Sequence, residues 1–279
     1  MKRLLKQDQL RQFETYLRNE EKSSATVEKY VHDVRVFYGF VGGDAFTKKD
    51  VVEYKAHLLS KYTVTSANSM IAALNVFFRF CGWHDFCVKR YKIQKSAFIS
   101  EEKELTRAEY LRLVQAASRK GNERLNLIIQ TICATGIRVS ELTYITVEAV
   151  KRGEALVHCK GKDRRIFIVA KLKNRLLQYI RKQKINSGSV FITRGGCPVS
   201  RHNIWRDMKL LCKEANVLPS KVFPHNLRHL FARTFYGIEK DIAKLADILG
   251  HTNINTTRVY IVTTATEHRR KIENMRLII

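Results

Sequence analysis

Residues 224–260 read PHNLRHLFARTFYGIEKDIAKLADILGHTNINTTRVY, three short apolar-periodic segments separated by turn and cap signals. A helix starting near Pro224 places His225 and Arg228 three apart, on one face and one turn from each other. Gly250 follows Leu249 where a helix end needs a left-handed residue, and His251 comes next. Asn255-Thr256-Thr257 is a cap signal opening the segment that holds Tyr260. Two histidines, an arginine and a tyrosine are thus able to converge from three short helices. Any one of them alone is more simply read as an ordinary core or surface residue.

Working outward, the charge balance gives the next constraint. The 279 residues carry 51 Lys and Arg against 26 Asp and Glu, a formal net charge of +25. The excess is spread along folded segments, at Lys89-Arg90-Tyr91-Lys92, Lys160 to Arg165, Lys171 to Arg181 and Arg269-Arg270-Lys271. A basic surface of that kind suits a phosphate backbone, with binding that weakens steeply as salt rises. The six cysteines form no CxxC pair; Cys81, His84 and Cys87 offer three metal ligands with no matching pair downstream. The start MKRLLKQDQLRQF lacks the apolar stretch of a signal peptide, and no run is long enough to span a membrane. A reduced intracellular compartment is the simplest expectation.

Upstream, four helices are expected. Leu10, Phe13 and Leu17 recur at helical spacing; Val27 to Val41 follow a Ser23-Ser24 signal and end at Gly42-Gly43. Thr47 opens a third helix with Val51, Val52, Tyr54, Leu58 and Leu59, and Ile71, Leu74, Phe77 and Phe78 mark a fourth before Gly82. Residues 1–88 read as a helical bundle and 89–104 as a linker without periodicity. From residue 105 to 279 a second domain is expected. Thr106 to Glu109 form a capping box, and Leu125 to Ile132 form a helix apolar nearly all round that stops at Thr135-Gly136. Arg138 comes immediately after that stop, held from behind as a phosphate clamp requires or else paired on the surface with Glu141. Glu154 to Cys159 and Ile166 to Ala170 read as a hairpin joined by Lys160 to Arg165, a turn longer than two residues. Helices follow over Leu172 to Lys184 and Ser200 to Ala215, with a short strand around Val190-Phe191-Ile192 between them. A final helix carries Ile272, Met275, Ile278 and Ile279.

Four motifs now stand in order: Ala134-Thr-Gly-Ile-Arg138-Val-Ser-Glu141-Leu, Lys160-Gly-Lys, His225-Asn-Leu-Arg228-His229, and Leu249-Gly-His251 with Tyr260. Together they resemble the tyrosine recombinases, also called the phage integrase family, in their short two-domain, Xer-like form. The resemblance covers about residues 131–260 closely and the N-terminal part in outline. It implies a mainly α fold with a small antiparallel β-sheet: a helical N-terminal core-binding bundle that clamps DNA with an α+β catalytic domain. Arg138, Lys160, His225, Arg228, His251 and Tyr260 take the six catalytic positions, each with the residue type the family pattern has there.

The resemblance further implies a site-specific DNA recombinase working through a 3'-phosphotyrosine, with neither cofactor nor metal. A tyrosine of ordinary pKa near 10 is a weak nucleophile, so its proton must be removed and the phosphate charge neutralised. Arg138 and Arg228 hold the non-bridging oxygens, His251 adds a donor, His225 handles the tyrosine proton and Lys160 protonates the leaving 5'-oxygen. Implied partners are double-stranded DNA with inverted-repeat core sites and further copies of the chain, as a tetramer on two duplexes, with an accessory protein beside them. The implied location is the bacterial cytoplasm, on the nucleoid. The biological task is integration or excision of a mobile element, or resolution of chromosome dimers. A type IB topoisomerase-like enzyme and a non-catalytic DNA-binding protein of the same fold are the alternatives. The apolar C-terminal helix docks either on its own protomer or on a neighbour.

Overall fold

A computed structural model describes residues 2–43, 45–93, 103–159, 162–251, 253–261 and 273–274, with residues 7, 159, 162 and 261 described by backbone alone. Lys160, linker residues 94–102 and all but residues 273–274 of the expected helix around Ile272 to Ile279 therefore lie outside the described residues. The chain forms two compact units, Met1–Lys95 and Ser96–Ile279.

The first unit holds α1 (Gln7–Asn19), α2 (Ser24–Phe40), α3 (Lys48–Lys61) and α4 (Val64–Phe80). Thr47 caps α3 in the reciprocal box with Asp50, and Thr63 accepts from the Ser66 N–H at the start of α4. Phe37, Phe46, Phe77, Phe78 and Phe86 are fully enclosed. Phe37 and Phe46 meet edge to face at 5.0 Å, as ring quadrupoles favour. On α3, Val51, Tyr54 and Leu58 make the buried face. Val52 and Leu59, each one step round the helix, are 50% and 40% exposed, so they do not belong to the expected stripe. Two asparagines of α4 hold the chain beyond residue 87. Asn75 Nδ2 donates to Val88 O at 2.8 Å, and Asn68 accepts from the Tyr91 N–H at 2.7 Å. The packed unit consequently runs past the residue at which the aperiodic pattern begins.

The second unit is built round α6 (Glu123–Thr135), which is buried on nearly every side and packs on α5 (Arg107–Arg119), α8 (Ala170–Lys182) and α11 (Pro224–Glu239). Its polar core residue Asn126 is satisfied by Val114 O, Ser118 Oγ and Arg175. After α7 (Val147–Arg152) come β1 (Glu154–Cys159) and β2 (Lys162–Phe167), the antiparallel hairpin. The second strand starts earlier than the hydrophobic pattern suggests. Cys159 pairs with Lys162, which leaves two residues between the strands rather than the long basic turn expected. Charged residues 163–165 read as loop by composition, yet alternate exposure along the strand like any others.

Two further expectations need correction. Ser200 to Ala215 is not one helix but α9 (Arg201–Lys209) and α10 (Cys212–Ala215). The Leu211 N–H bonds back only three residues, to Met208 O, and that tight turn breaks the rod. The buried residues Ile204, Met208, Leu211, Cys212 and Ala215 keep a single helical stripe across the break, so periodicity is blind to it. Around residue 191 there is no strand among the described residues, only isolated bridges, Thr146 with Ser189 and Ile192 with Pro198. The chain then enters α11, α12 (Ile242–Leu249) and α13 (Ile254–Ile261). Among the described residues no helix is long and apolar enough to cross a membrane.

Candidate active site

Two helix ends define the floor of the site. At the end of α6, Gly136 is left-handed at φ +65°, and a Cβ there would stand 2.5 Å from the Phe231 ring. Conformation and space both require glycine at this turn. At the end of α12, Gly250 has the same φ, and a Cβ would lie 2.8 Å from Arg164 Cδ. Helix carboxyl ends present unpaired carbonyls and partial negative charge, which attract guanidinium groups.

Arg228 occupies that position. It is 1% exposed; Nη1 donates to Gly136 O and Nη2 to Leu249 O at 2.7 Å. It thereby joins the ends of α6 and α12. Burial first, and then the charge of Arg138, pull its pKa down to about 10, so it stays a cation at neutral pH. Its Nε–H is buried and has no hydrogen-bond partner among the described residues. Arg138, after the Gly136 turn, is more open. Its Nη1 lies 2.8 Å from Glu141 Oε1, its backbone N–H bonds Glu141 Oε2 at 2.9 Å, and Nη2 reaches Gly250 O at 3.2 Å. Arg138 thus pairs with Glu141 and at the same time reaches the Gly250 carbonyl at the end of α12. The carboxylate fixes the arginine rather than diverting it.

His225 and His229 lie one turn apart on the face of α11 that carries Arg228. The Tyr260 hydroxyl is 3.4 Å from His225 Nε2, and its ring is 3% exposed. Ring centroids of Tyr260 stand 4.2 Å from His229, 5.4 Å from His251 and 5.7 Å from His225, so three imidazoles surround the phenol. His251 Nε2 sits 3.0 Å from Arg228 Nη2, and its Nδ1 is 2.9 Å from Thr257 Oγ1. An arginine only donates, so Nε2 accepts and the neutral ring carries its proton on Nδ1, donated to Thr257. Thr257, fully buried on α13, orients His251 from the helix that also carries Tyr260.

All three histidines are biased towards the neutral form. Burial and then the neighbouring cations Arg228 and Arg138 lower His251 to about 4. Burial, His225 and Arg228 lower His229 to about 4. His225 has one edge in solvent, but desolvation of the side turned to Tyr260 and His229, followed by the two arginines, also lowers its pKa. A histidine with a folded pKa near 4 and an unfolded value of 6.5 binds fewer protons folded than unfolded. Its contribution therefore destabilises the fold progressively as pH drops below 6.5, levelling off near 4. His229→Phe, which keeps a neutral ring, is expected to lose less Tm than the wild type between about pH 7 and about pH 4.5. Equal losses in a thermal scan at both pH values would remove His229 from the linkage.

Of the six residues expected from the sequence, Arg138, His225, Arg228, His251 and Tyr260 meet here; Lys160 lies outside the described residues. Sequence reasoning missed His229, Thr257 and Arg164 as neighbours of the site. His229 was visible in principle as the i+4 partner of His225. Thr257 lay inside a cap signal, and Arg164 was hidden in a supposed turn.

Comparison with known proteins gives the family and the fold. Residues 103–267 match the model of the phage integrase family, and residues 10–84 match the phage integrase N-terminal SAM-like domain. Tyrosine recombinase XerA of Pyrococcus horikoshii is 32% identical over 99% of this chain and 96% of its own length. A crystal structure of XerA recombinase, 25% identical, aligns over 98% of this chain and 99% of its own with a TM-score of 0.54. A lambda integrase (75–356) dimer bound to a COC' core site shares the fold, with a TM-score of 0.75 at 18% identity over 94% and 95% of the two chains.

The fold is thus that of the recombinases that work through a tyrosine. This chain belongs to the phage integrase family and is a tyrosine-type site-specific DNA recombinase. The topoisomerase-like alternative is not favoured.

Proposed function

We propose that Tyr260 is the nucleophile of the recombination reaction, forming a 3'-phosphotyrosine within a cradle of Arg138, Arg228 and His251. The observation that carries this reading is the Tyr260 hydroxyl beside a neutral His225 Nε2, at 3.4 Å, above two arginines fixed by helix ends. Tyr260 Oη attacks phosphorus and the P–O5' bond breaks. The phenolic proton passes to His225, whose lowered pKa keeps its ring free to accept it. The leaving 5'-oxygen takes a proton from Lys160. A different 5'-hydroxyl then reverses the step, and one phosphodiester is exchanged for another without an external energy source.

The phosphate would satisfy the unpartnered Arg228 Nε–H, a donor costly to leave buried and empty. His251 Nε2 turns from acceptor to donor when a phosphate oxygen replaces it as the partner of Arg228. Beyond His225, Arg201, His202 and Trp205 line a cavity of about 440 Å³. Trp205 is 45% exposed, stacks with His202 at 6.3 Å and lies under the Lys209 ammonium at 5.2 Å. We assign this basic aromatic surface to the duplex beside the scissile phosphate.

Residues 1–88 serve in this proposal as the core-binding domain, 89–104 as the linker and 105–279 as the catalytic domain. The substrate is double-stranded DNA with inverted-repeat core sites, and four protomers act on two duplexes, with an accessory protein as a further partner. Incubation with a nicked suicide duplex carrying the site tests the reading, since the cut strand then diffuses away and leaves the protein attached. Peptide mapping should find the DNA on Tyr260. Lys160→Ala is expected to slow cleavage of the ordinary duplex by about 10²–10⁴-fold, the usual worth of a general acid. The loss should shrink to a few-fold with a 5'-thiol leaving group, which needs no proton. Equal damage on both substrates would refute Lys160 as the acid.

A further inference from the structure

Arg164 stands on the wrong face of its strand for an arginine. In the hairpin register it lies opposite Val157, and it shares the inward face with Ala155, Val157, Ile166 and Ile168, which are buried. Its neighbours Asp163 and Arg165 point to solvent, whereas the Arg164 side chain is only 9% exposed. A cation at such a position is retained at a cost, unless its charge and donors are matched.

They are matched by groups that belong to the site. Arg164 Nη2 lies 2.5 Å from Glu141 Oε2, and the other oxygen of that carboxylate holds Arg138. Arg164 Nη1 donates to Ile248 O at 3.2 Å and to Leu249 O. The Leu249 carbonyl also accepts from Arg228. The next two residues are Gly250, whose carbonyl holds Arg138, and His251. One guanidinium therefore touches the carboxylate that sets Arg138 and the carbonyl shared with Arg228, on the turn that leads into His251. The lack of a Cβ at Gly250 makes the close approach of Arg164 Cδ feasible.

We infer that Arg164 is a positioning residue of the recombination reaction. It acts through Glu141 on Arg138 and through the 248–250 backbone on His251, and it has no direct contact with DNA. The inference rests on the reading of Arg138, Arg228 and His251 as the phosphate cradle. Two effects follow from one side chain. Glu141 sits between two cations, so the Arg138–Glu141–Arg164 triad carries a net charge of +1 towards an approaching phosphate. Without Arg164 the same carboxylate cancels Arg138. In addition, the planar fork bridges a carboxylate and two carbonyls at once, which a lysine ammonium on a flexible stem does not reproduce.

The test compares Arg164→Met and Arg164→Lys with wild type on two suicide duplexes. One has an ordinary scissile phosphodiester; in the other a neutral methylphosphonate replaces it. Adduct formation on the phosphodiester is expected to fall about 10²-fold in R164M and about 10-fold in R164K, the scale of losing one preorganised donor. On the methylphosphonate, where there is less charge to neutralise, both losses should shrink to a few-fold. DNA affinity at fixed salt should stay within about twofold of wild type, because no phosphate contact is removed. R164K retains the charge, so it reports on the fork even where R164M is too unstable to purify.

Wild-type rates in R164K and R164M would overturn the inference. So would losses of equal size on both substrates, which would mean that Arg164 only supports the hairpin. A drop in DNA affinity matching the drop in rate would also overturn it, by making Arg164 a phosphate contact. A wild-type protein that forms no adduct would instead overturn the catalytic reading on which the inference stands.

Discussion

Tyr260→Phe is expected to bind duplex DNA as the wild type does and to form no covalent adduct. The phenol ring is held on three sides by His225, His229 and His251, and those contacts involve ring faces and edges that phenylalanine keeps. The hydroxyl lies 3.4 Å from His225 Nε2, a long contact, and within the field of the Arg228 guanidinium. Its removal should therefore cost no more than about 1 kcal/mol of stability, the net worth of a modest hydrogen bond. On the proposed reading the nucleophile is lost outright, a far larger effect than the change in stability. The measurement is a suicide-duplex trap beside a binding titration at the same salt. An adduct that survives in the variant would remove Tyr260 from the mechanism. A variant that neither binds nor folds would contradict the packing argument.

The cap chemistry of this chain was legible in the sequence because capping is local. Thr47 with Asp50 and Thr106 with Glu109 announce helix starts over three residues, and Gly136 and Gly250 announce ends at the turns where the arginines later gather. The motif residues could be ranked, too, by what phosphate chemistry needs. What could not be read is the set of contacts that cross the chain. Arg164 meets Glu141 23 residues away and Leu249 85 residues away. A strand position that holds an arginine looks like a loop until its distant carboxylate is known. The break between α9 and α10 was hidden for a different reason: the buried stripe runs through it in phase. Neither failure concerns propensity. Both arise where tertiary partners decide which face a residue shows.

Arg228→Lys should cost more than any substitution that keeps the charge elsewhere in the site, in stability as well as in rate. The guanidinium bridges the carbonyl ends of α6 and α12 and also donates to His251. A single ammonium at the end of a straight stem does not span those partners, so at least one buried helix-terminal carbonyl loses its donor. An unsatisfied buried group of this kind costs about 1–3 kcal/mol. Adduct formation should fall at least about 10²–10³-fold, because a donor aimed at the developing phosphate charge is lost and His251 loses its anchor. Assays well below the variant's Tm separate the two consequences. The leaving group distinguishes the proposed roles: a 5'-thiol should largely restore Lys160→Ala but leave Arg228→Lys slow, since in the proposed cradle the arginine acts on the non-bridging oxygens rather than on the departing one. Full recovery of Arg228→Lys with the thiol would place Arg228 in proton transfer and break the assignment of the cradle.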